Sequence, residues 1–137
     1  MKMVGPKIDI KEVEILEKVI RVASPMDVEI IAEPLTKESK EVYQVLYMNN
    51  QGEVIAMQFF YPHISDPSML SFRDVFKSAL NLDATSIIVC HTHGINRTTP
   101  SMLDRGITDK LAQAGKYIGV ELLDSLIISG RTFKSIK

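Results

Sequence analysis

The sequence predicts a single domain of mixed α/β class, α+β-like, in which helices flank one mixed β-sheet. Stretches rich in β-branched and aromatic residues alternate with stretches of helical periodicity. Two of the strand-like stretches flank the turn sequence "NNQG", which is typical of a β-hairpin. With 137 residues, 45% of them apolar, the chain is long enough to bury one hydrophobic core.

The first half of the chain favours three strands and one short helix. The helix is expected because Ser24 can cap it, Pro25 suits its first turn and Pro34 ends it. The hairpin strands are expected from their content of β-branched and aromatic residues. In chain order, these elements are residues 13–23, which are ambiguous between strand and helix and are interpreted as a strand, a helix at 24–33 and the hairpin strands at 41–48 and 53–61.

The second half favours two helices and three strands. Ser71 and Asp74 have the spacing of a capping box at the start of the first helix. Leu103, Ile107 and Leu111 recur at helical spacing in the second. We therefore expect helices at 71–81 and 99–119 and strands at 85–93, 120–129 and 131–136, with at least one helix on each side of the sheet.

Composition excludes several classes of protein. Sixteen basic and seventeen acidic residues give a net charge of −1 without a basic cluster, so direct binding to nucleic acid is not expected. Cys90 is the only cysteine, which excludes an internal disulfide and suits a reducing compartment. Neither an export signal nor an apolar run of about 20 residues is present, so we expect a cytoplasmic protein without a membrane partner. An exposed strand at 131–136 could pair with a second copy to form a homodimer.

Chemistry is concentrated in the stretch "HTHGINRTTPSMLD", residues 91–104. Residues two apart in a strand share a face, so His91 and His93 can converge on one point. Ser101 and Asp104 lie on one face of the first turns of the following helix. Two imidazoles and a carboxylate are a suitable ligand set for Zn²⁺, with the fourth position open to water. The Ser101 hydroxyl suits the stabilisation of an oxyanion.

Each of these residues also has an ordinary structural interpretation. A histidine is often a hydrogen-bonded structural residue, and an aspartate near a helix start complements the helix dipole. The metal prediction rests on all four occurring in one strand–loop–helix unit. Outside that unit, we interpret His63 as a solvated loop residue and Cys90 as a core residue. Gly106 and Gly115 indicate close packing of the long helix.

The same stretch matches, without a gap, the H-x-H-x7-S-x-x-D motif of the JAMM (MPN/JAB) metalloprotease superfamily. Its surroundings resemble the RadC-like JAB domain of bacteria: "TPSMLDRGIT" resembles "TPSxxDxxLT", "LLDSLIISG" resembles "LLDHLIIG", and "SKEVYQVLYMNNQGEVI" resembles the hairpin before them. We expect the domain to span residues 24–137. Residues 1–23 would form an N-terminal segment that could add a strand.

The resemblance implies a JAB/MPN-type fold and a zinc-dependent hydrolase acting on a peptide or isopeptide bond. It also implies that His91, His93 and Asp104 are the zinc ligands and that Ser101 stabilises the oxyanion. A glutamate just before the first hairpin strand would be the general acid/base. Glu41 occupies that position, and Glu38 is the alternative.

The chain departs from the family pattern at two places. Residues 94–97 replace a Pro-Ser-Gly-Asp run with Gly-Ile-Asn-Arg, which alters the loop, and Ser125 replaces a histidine. Two other functions therefore stay open beside hydrolysis. One is a RadC-like accessory role associated with DNA repair, and the other is a non-catalytic JAB scaffold.

Overall fold

A computed structural model of the chain describes residues 13–37, 41–61, 70–92 and 102–136, with the side chains of 102 and 103 left out. The described elements, in chain order, are β1 (Val13–Arg21), α1 (Pro25–Ile31), a 3₁₀ helix (Glu33–Lys37), β2 (Val42–Met48), β3 (Glu53–Phe60), α2 (Phe72–Asn81), β4 (Ser86–Thr92), α3 (Met102–Ile118), β5 (Glu121–Ser129) and β6 (Thr132–Ser135). The six strands form one sheet in the order β1-β3-β2-β4-β5-β6.

The sheet is mixed. Strands β4 and β5 run parallel, because α3 connects them as a crossover, and every other neighbouring pair is antiparallel. The predicted α/β class is confirmed. Strand β6 lies at one edge of the sheet, as the prediction for residues 131–136 requires. Pairing of that edge with a second copy stays a prediction.

Local signals in the sequence act as expected where the structure describes them. The Ser71 hydroxyl accepts a hydrogen bond from the Asp74 N–H at 3.2 Å and caps α2. At the start of α1, the Asp27 carboxylate accepts one from the Ser24 N–H at 3.0 Å. The turn between β2 and β3 has Gly52 at a φ of 76°, a conformation that glycine adopts without strain.

Helices cover both faces of the sheet, as predicted. Helices α2 and α3 pack over one face, where Val75, Phe76 and Leu111 join side chains of β2, β3 and β4 in a buried cluster. Helix α1 and the 3₁₀ helix cover the other face through Val28 and Leu35. The two clusters supply most of the buried apolar surface that stabilises the domain. None of the described helices is long and apolar enough to span a membrane.

Three single-residue predictions can be assessed in the core. A Cβ at Gly115 would overlap the backbone carbonyl of Val120, so close packing at this glycine is confirmed. The same prediction for Gly106 was wrong, because a Cβ there would have no described atom within 4 Å. Cys90 is fully buried, as predicted, and burial raises the pKa of its thiol to about 12. His63 lies outside the described residues.

Candidate functional site

The candidate site lies where the start of β2 meets the end of β4. These strands are antiparallel, and their register places Tyr43 directly opposite His91. Glu41 immediately precedes β2, and Asp104 lies in the first turn of α3. Residues 41 and 43 are two apart, so their side chains leave the backbone on the same side. The fold thus brings together polar residues from three elements that are distant in the sequence.

His91 lies between two carboxylates. Its Nδ1 atom is 3.3 Å from Oδ1 of Asp104, and its Nε2 atom is 3.8 Å from Oε1 of Glu41. The side chains of His91 and Asp104 are only 7% and 5% exposed, whereas that of Glu41 is 50% exposed. One carboxylate therefore belongs to the buried part of the site and the other to its solvent-facing rim.

The imidazole of His91 stacks on the phenol ring of Tyr43. The ring centroids are 3.9 Å apart and the ring planes are inclined by 7°. Burial raises the pKa of the Tyr43 phenol above its usual value, and the negative charges of Asp104 and Glu41 raise it further. The stacking partner of His91 is therefore a neutral ring at physiological pH.

The inner wall of the site combines polar and apolar side chains. A small internal space of about 10 Å³ is lined in part by His91, Asp104, Thr108 and Ser125. The hydroxyls of Thr108 and Ser125 are 3.0 Å apart and hydrogen-bonded to each other. The serine that replaces the family's histidine at position 125 thus keeps a buried polar partner.

The separation of His91 and Asp104 is compatible with two ligands of one divalent metal ion. Two ligands at the 2.0–2.2 Å bond lengths of tetrahedral zinc are about 3.4 Å apart, and the Nδ1–Oδ1 distance between His91 and Asp104 is 3.3 Å. The same distance also permits a long hydrogen bond from the ring to the carboxylate. The ring edge that carries Nδ1 and Nε2 faces both carboxylates. If the ring were turned by 180° about the Cβ–Cγ bond, Nε2 would take the place of Cε1, so a ring nitrogen would still lie on that edge.

The complete ligand set extends beyond the described residues. His93 and Ser101 lie outside them, as does Glu38, the alternative to Glu41. Within the part of the chain that the structure describes, no three His, Cys, Asp or Glu side chains are arranged to hold a metal ion. The assignment of His93 as a ligand and of Ser101 as oxyanion donor stays a prediction.

Sequence reasoning missed Tyr43 and the Thr108–Ser125 pair. Strand alternation could have shown that Tyr43 shares a strand face with Glu41. Its position against His91, however, depends on the register between β2 and β4, whose central residues are more than forty positions apart. Thr108 meets Ser125 only because α3 packs along β5, and no local pattern predicts that contact.

Comparison with known proteins assigns the chain to a family. Residues 22–137 match the model of the RadC-like JAB domain. The chain is 39% identical over 117 residues to a UPF0758 protein of Halalkalibacterium halodurans, an alignment covering 85% of this chain and 50% of that protein. It is 36% identical to a UPF0758 protein of a Geobacillus species over 85% of this chain and 52% of that protein. A Clostridium perfringens UPF0758 protein is 33% identical over 86% of this chain and 52% of its own length.

The chain therefore spans about half the length of these curated relatives. The match to the family model covers every element from α1 to β6, including the described part of the candidate site. The resemblance expected from the sequence is confirmed: this chain belongs to the RadC-like JAB domain family.

Proposed function

We propose that this domain is a zinc-dependent metallohydrolase that cleaves a peptide or isopeptide bond. The observation that carries the proposal is the position of His91 between a buried carboxylate, Asp104, and a half-exposed one, Glu41. A metal-dependent hydrolase needs both kinds of group, since one must hold the ion and the other must move protons.

The metal would be held by His91, Asp104 and His93. The first two have a separation that suits two ligands of one tetrahedral ion. Their burial favours binding of a metal cation, because a buried carboxylate is costly in free energy unless a positive charge compensates it. When bound, Zn²⁺ would polarise a carbonyl oxygen and lower the pKa of water to about 7.

Glu41 would transfer the protons. Its carboxylate can accept a proton from the attacking water and then donate it to the leaving amine nitrogen. Half of its side chain is exposed, so both water and a substrate can reach it.

Ser101 would donate a hydrogen bond to the oxyanion that forms on the scissile carbonyl. This role and the ligand role of His93 come from the family motif. The proposed substrate class comes from the same resemblance, and the activity of the longer relatives, of which this domain corresponds to about half, is part of the proposal.

A direct test is hydrolysis by the zinc-loaded protein of two substrate types, a linear peptide mixture and lysine-linked isopeptides, with products read by mass spectrometry. We expect cleavage of one type that a chelator abolishes and added Zn²⁺ restores. Cleavage that persists unchanged in the chelated protein, or no cleavage of either type above the Glu41→Gln variant, would contradict the proposal.

A further inference from the structure

Tyr43 stacks directly on His91, the candidate metal ligand. Its ring lies parallel to the imidazole of His91, 3.9 Å away between centroids, and the two residues are direct cross-strand partners. Such aromatic pairs gain energy beyond the area that they bury. Neither the family motif nor the proposed mechanism includes this residue.

We propose that Tyr43 is a positioning residue for the metal site: its ring fixes the plane of the His91 imidazole and thereby sets the affinity for Zn²⁺. The inference rests on the proposed function in one respect only, which is that the site binds zinc.

The first physical reason is the freedom of the imidazole. The χ2 torsion of a histidine is broad, so the ring of an unsupported side chain samples many planes. Only some of these point a ring nitrogen toward the carboxylates of Asp104 and Glu41. Parallel stacking on Tyr43 keeps the ring in one plane, and a half-turn within that plane preserves the stack. A ligand that is already oriented loses less entropy when the ion binds.

The second reason is electronic. An imidazole that donates to a divalent cation becomes electron-poor, and an electron-poor ring stacks more favourably on the electron-rich face of a phenol. The stack is therefore expected to be stronger in the loaded protein than in the apo protein. A contact that strengthens on metal binding adds to the zinc affinity beyond what the prior orientation of the ring supplies.

Phe76 is a buried aromatic residue of the same core that lies away from the candidate site. Phe76 is buried to the same extent as Tyr43, at 5% exposure, and belongs to the same hydrophobic cluster. It lies near Gly115, where α3 ends and β5 is about to begin. The parallel register of β4 and β5 places that region at the opposite end of the strands from His91. Replacing Phe76 by leucine is therefore a matched control for the loss of a buried ring.

The experiment measures zinc affinity, without any activity assay, by competition with a chelating dye. The proteins are the wild type, Tyr43→Phe, Tyr43→Leu, Tyr43→Met and Phe76→Leu, each freed of metal beforehand. We expect Tyr43→Leu and Tyr43→Met to bind zinc about tenfold or more weakly, as loss of a ligand-orienting partner does elsewhere. Tyr43→Phe keeps the ring and is expected to bind like the wild type.

The Phe76→Leu control separates an effect on zinc affinity from an effect on the stability of the fold. Phe76→Leu is expected to lower the unfolding midpoint of the apo protein as Tyr43→Leu does, yet to leave zinc affinity unchanged. The visible spectrum of the Co²⁺-loaded protein should change in Tyr43→Leu and not in Phe76→Leu. Methionine is included because its flexible chain can fill the space if leucine does not allow folding.

The outcomes are distinct. If the wild type binds zinc and the leucine and methionine variants bind it equally tightly, the inference about Tyr43 is overturned and the proposed function stands. Equal weakening in Tyr43→Phe also overturns it, since the ring would then not be the active feature. A wild-type protein that binds no zinc overturns both.

Discussion

The Nδ1 atom of His91 lies 3.3 Å from Oδ1 of Asp104, although a strand carries one residue and a helix the other. Both side chains are almost fully buried. The pair thus joins β4 to the first turn of α3, and both residues are proposed ligands of the metal ion.

Asp104→Asn should abolish near-stoichiometric zinc binding. The substitution keeps the shape of the side chain and removes the negative charge that favours a divalent cation. Metal content after dialysis against limiting Zn²⁺ measures the effect. Asp109→Asn is the control, because Asp109 is exposed on the same helix. Zinc content in Asp104→Asn equal to that of Asp109→Asn would show that Asp104 is not a ligand.

Glu41→Gln should keep the metal and lose hydrolysis. Glutamine retains the size of the side chain but cannot exchange a proton, and general acid/base catalysis contributes about 10² to 10⁴ in rate. Zinc content and turnover are measured on the same sample. Glu121→Gln is a suitable control, since Glu121 is exposed at the start of β5, opposite Ser86 at the far end of β4 from His91. Full activity in Glu41→Gln would remove Glu41 from the mechanism and would return attention to Glu38.

The two glycines of α3 should respond to alanine in opposite directions. At Gly115 the new Cβ overlaps the Val120 carbonyl, and such overpacking should lower the free energy of unfolding by about 1–3 kcal/mol. At Gly106 the Cβ meets no described atom within 4 Å, so alanine should stabilise the helix by about 0.5–1 kcal/mol. Denaturant unfolding of the metal-free proteins compares the free energies of unfolding. A Gly115→Ala protein as stable as the wild type would mean that α3 approaches β5 less closely than the structure has it.

The Cys90 thiol should be inaccessible in the native protein. It is fully buried in the cluster beneath α1, so a thiol reagent can reach it only when the protein opens. The labelling rate with a chromogenic disulfide should be slow in buffer and should rise with denaturant across the unfolding transition. Fast stoichiometric labelling in buffer alone would contradict the packing described for β4.

The sequence allowed the elements of the fold to be predicted because their signals are local. Ser71 is three residues from the backbone N–H that it caps, and the Asn49–Gly52 turn carries its own conformational preference. The order of the strands in the sheet is harder to predict from the sequence. Strand β1 pairs with β3 rather than with β2, and only long-range packing decides that choice.

The candidate site was predictable only in part. His91 and Asp104 lie within one strand–loop–helix unit, so a sequence motif could identify them. The interpretation of Gly106 as a packing residue failed because glycine in a helix has the same local signal whether its Cβ position is crowded or open. Tyr43 and the Thr108–Ser125 pair depend on which strand lies beside which, and no single stretch of sequence encodes that.

The central claim is that His91 and Asp104, together with His93, hold one divalent ion. Isothermal titration of the metal-free protein with Zn²⁺, next to a His91→Ala variant, tests it most directly. We expect one zinc per chain in the wild type and no comparable binding in the variant. A wild-type protein that takes up no zinc, or a His91→Ala protein that binds it with undiminished affinity, would contradict the account.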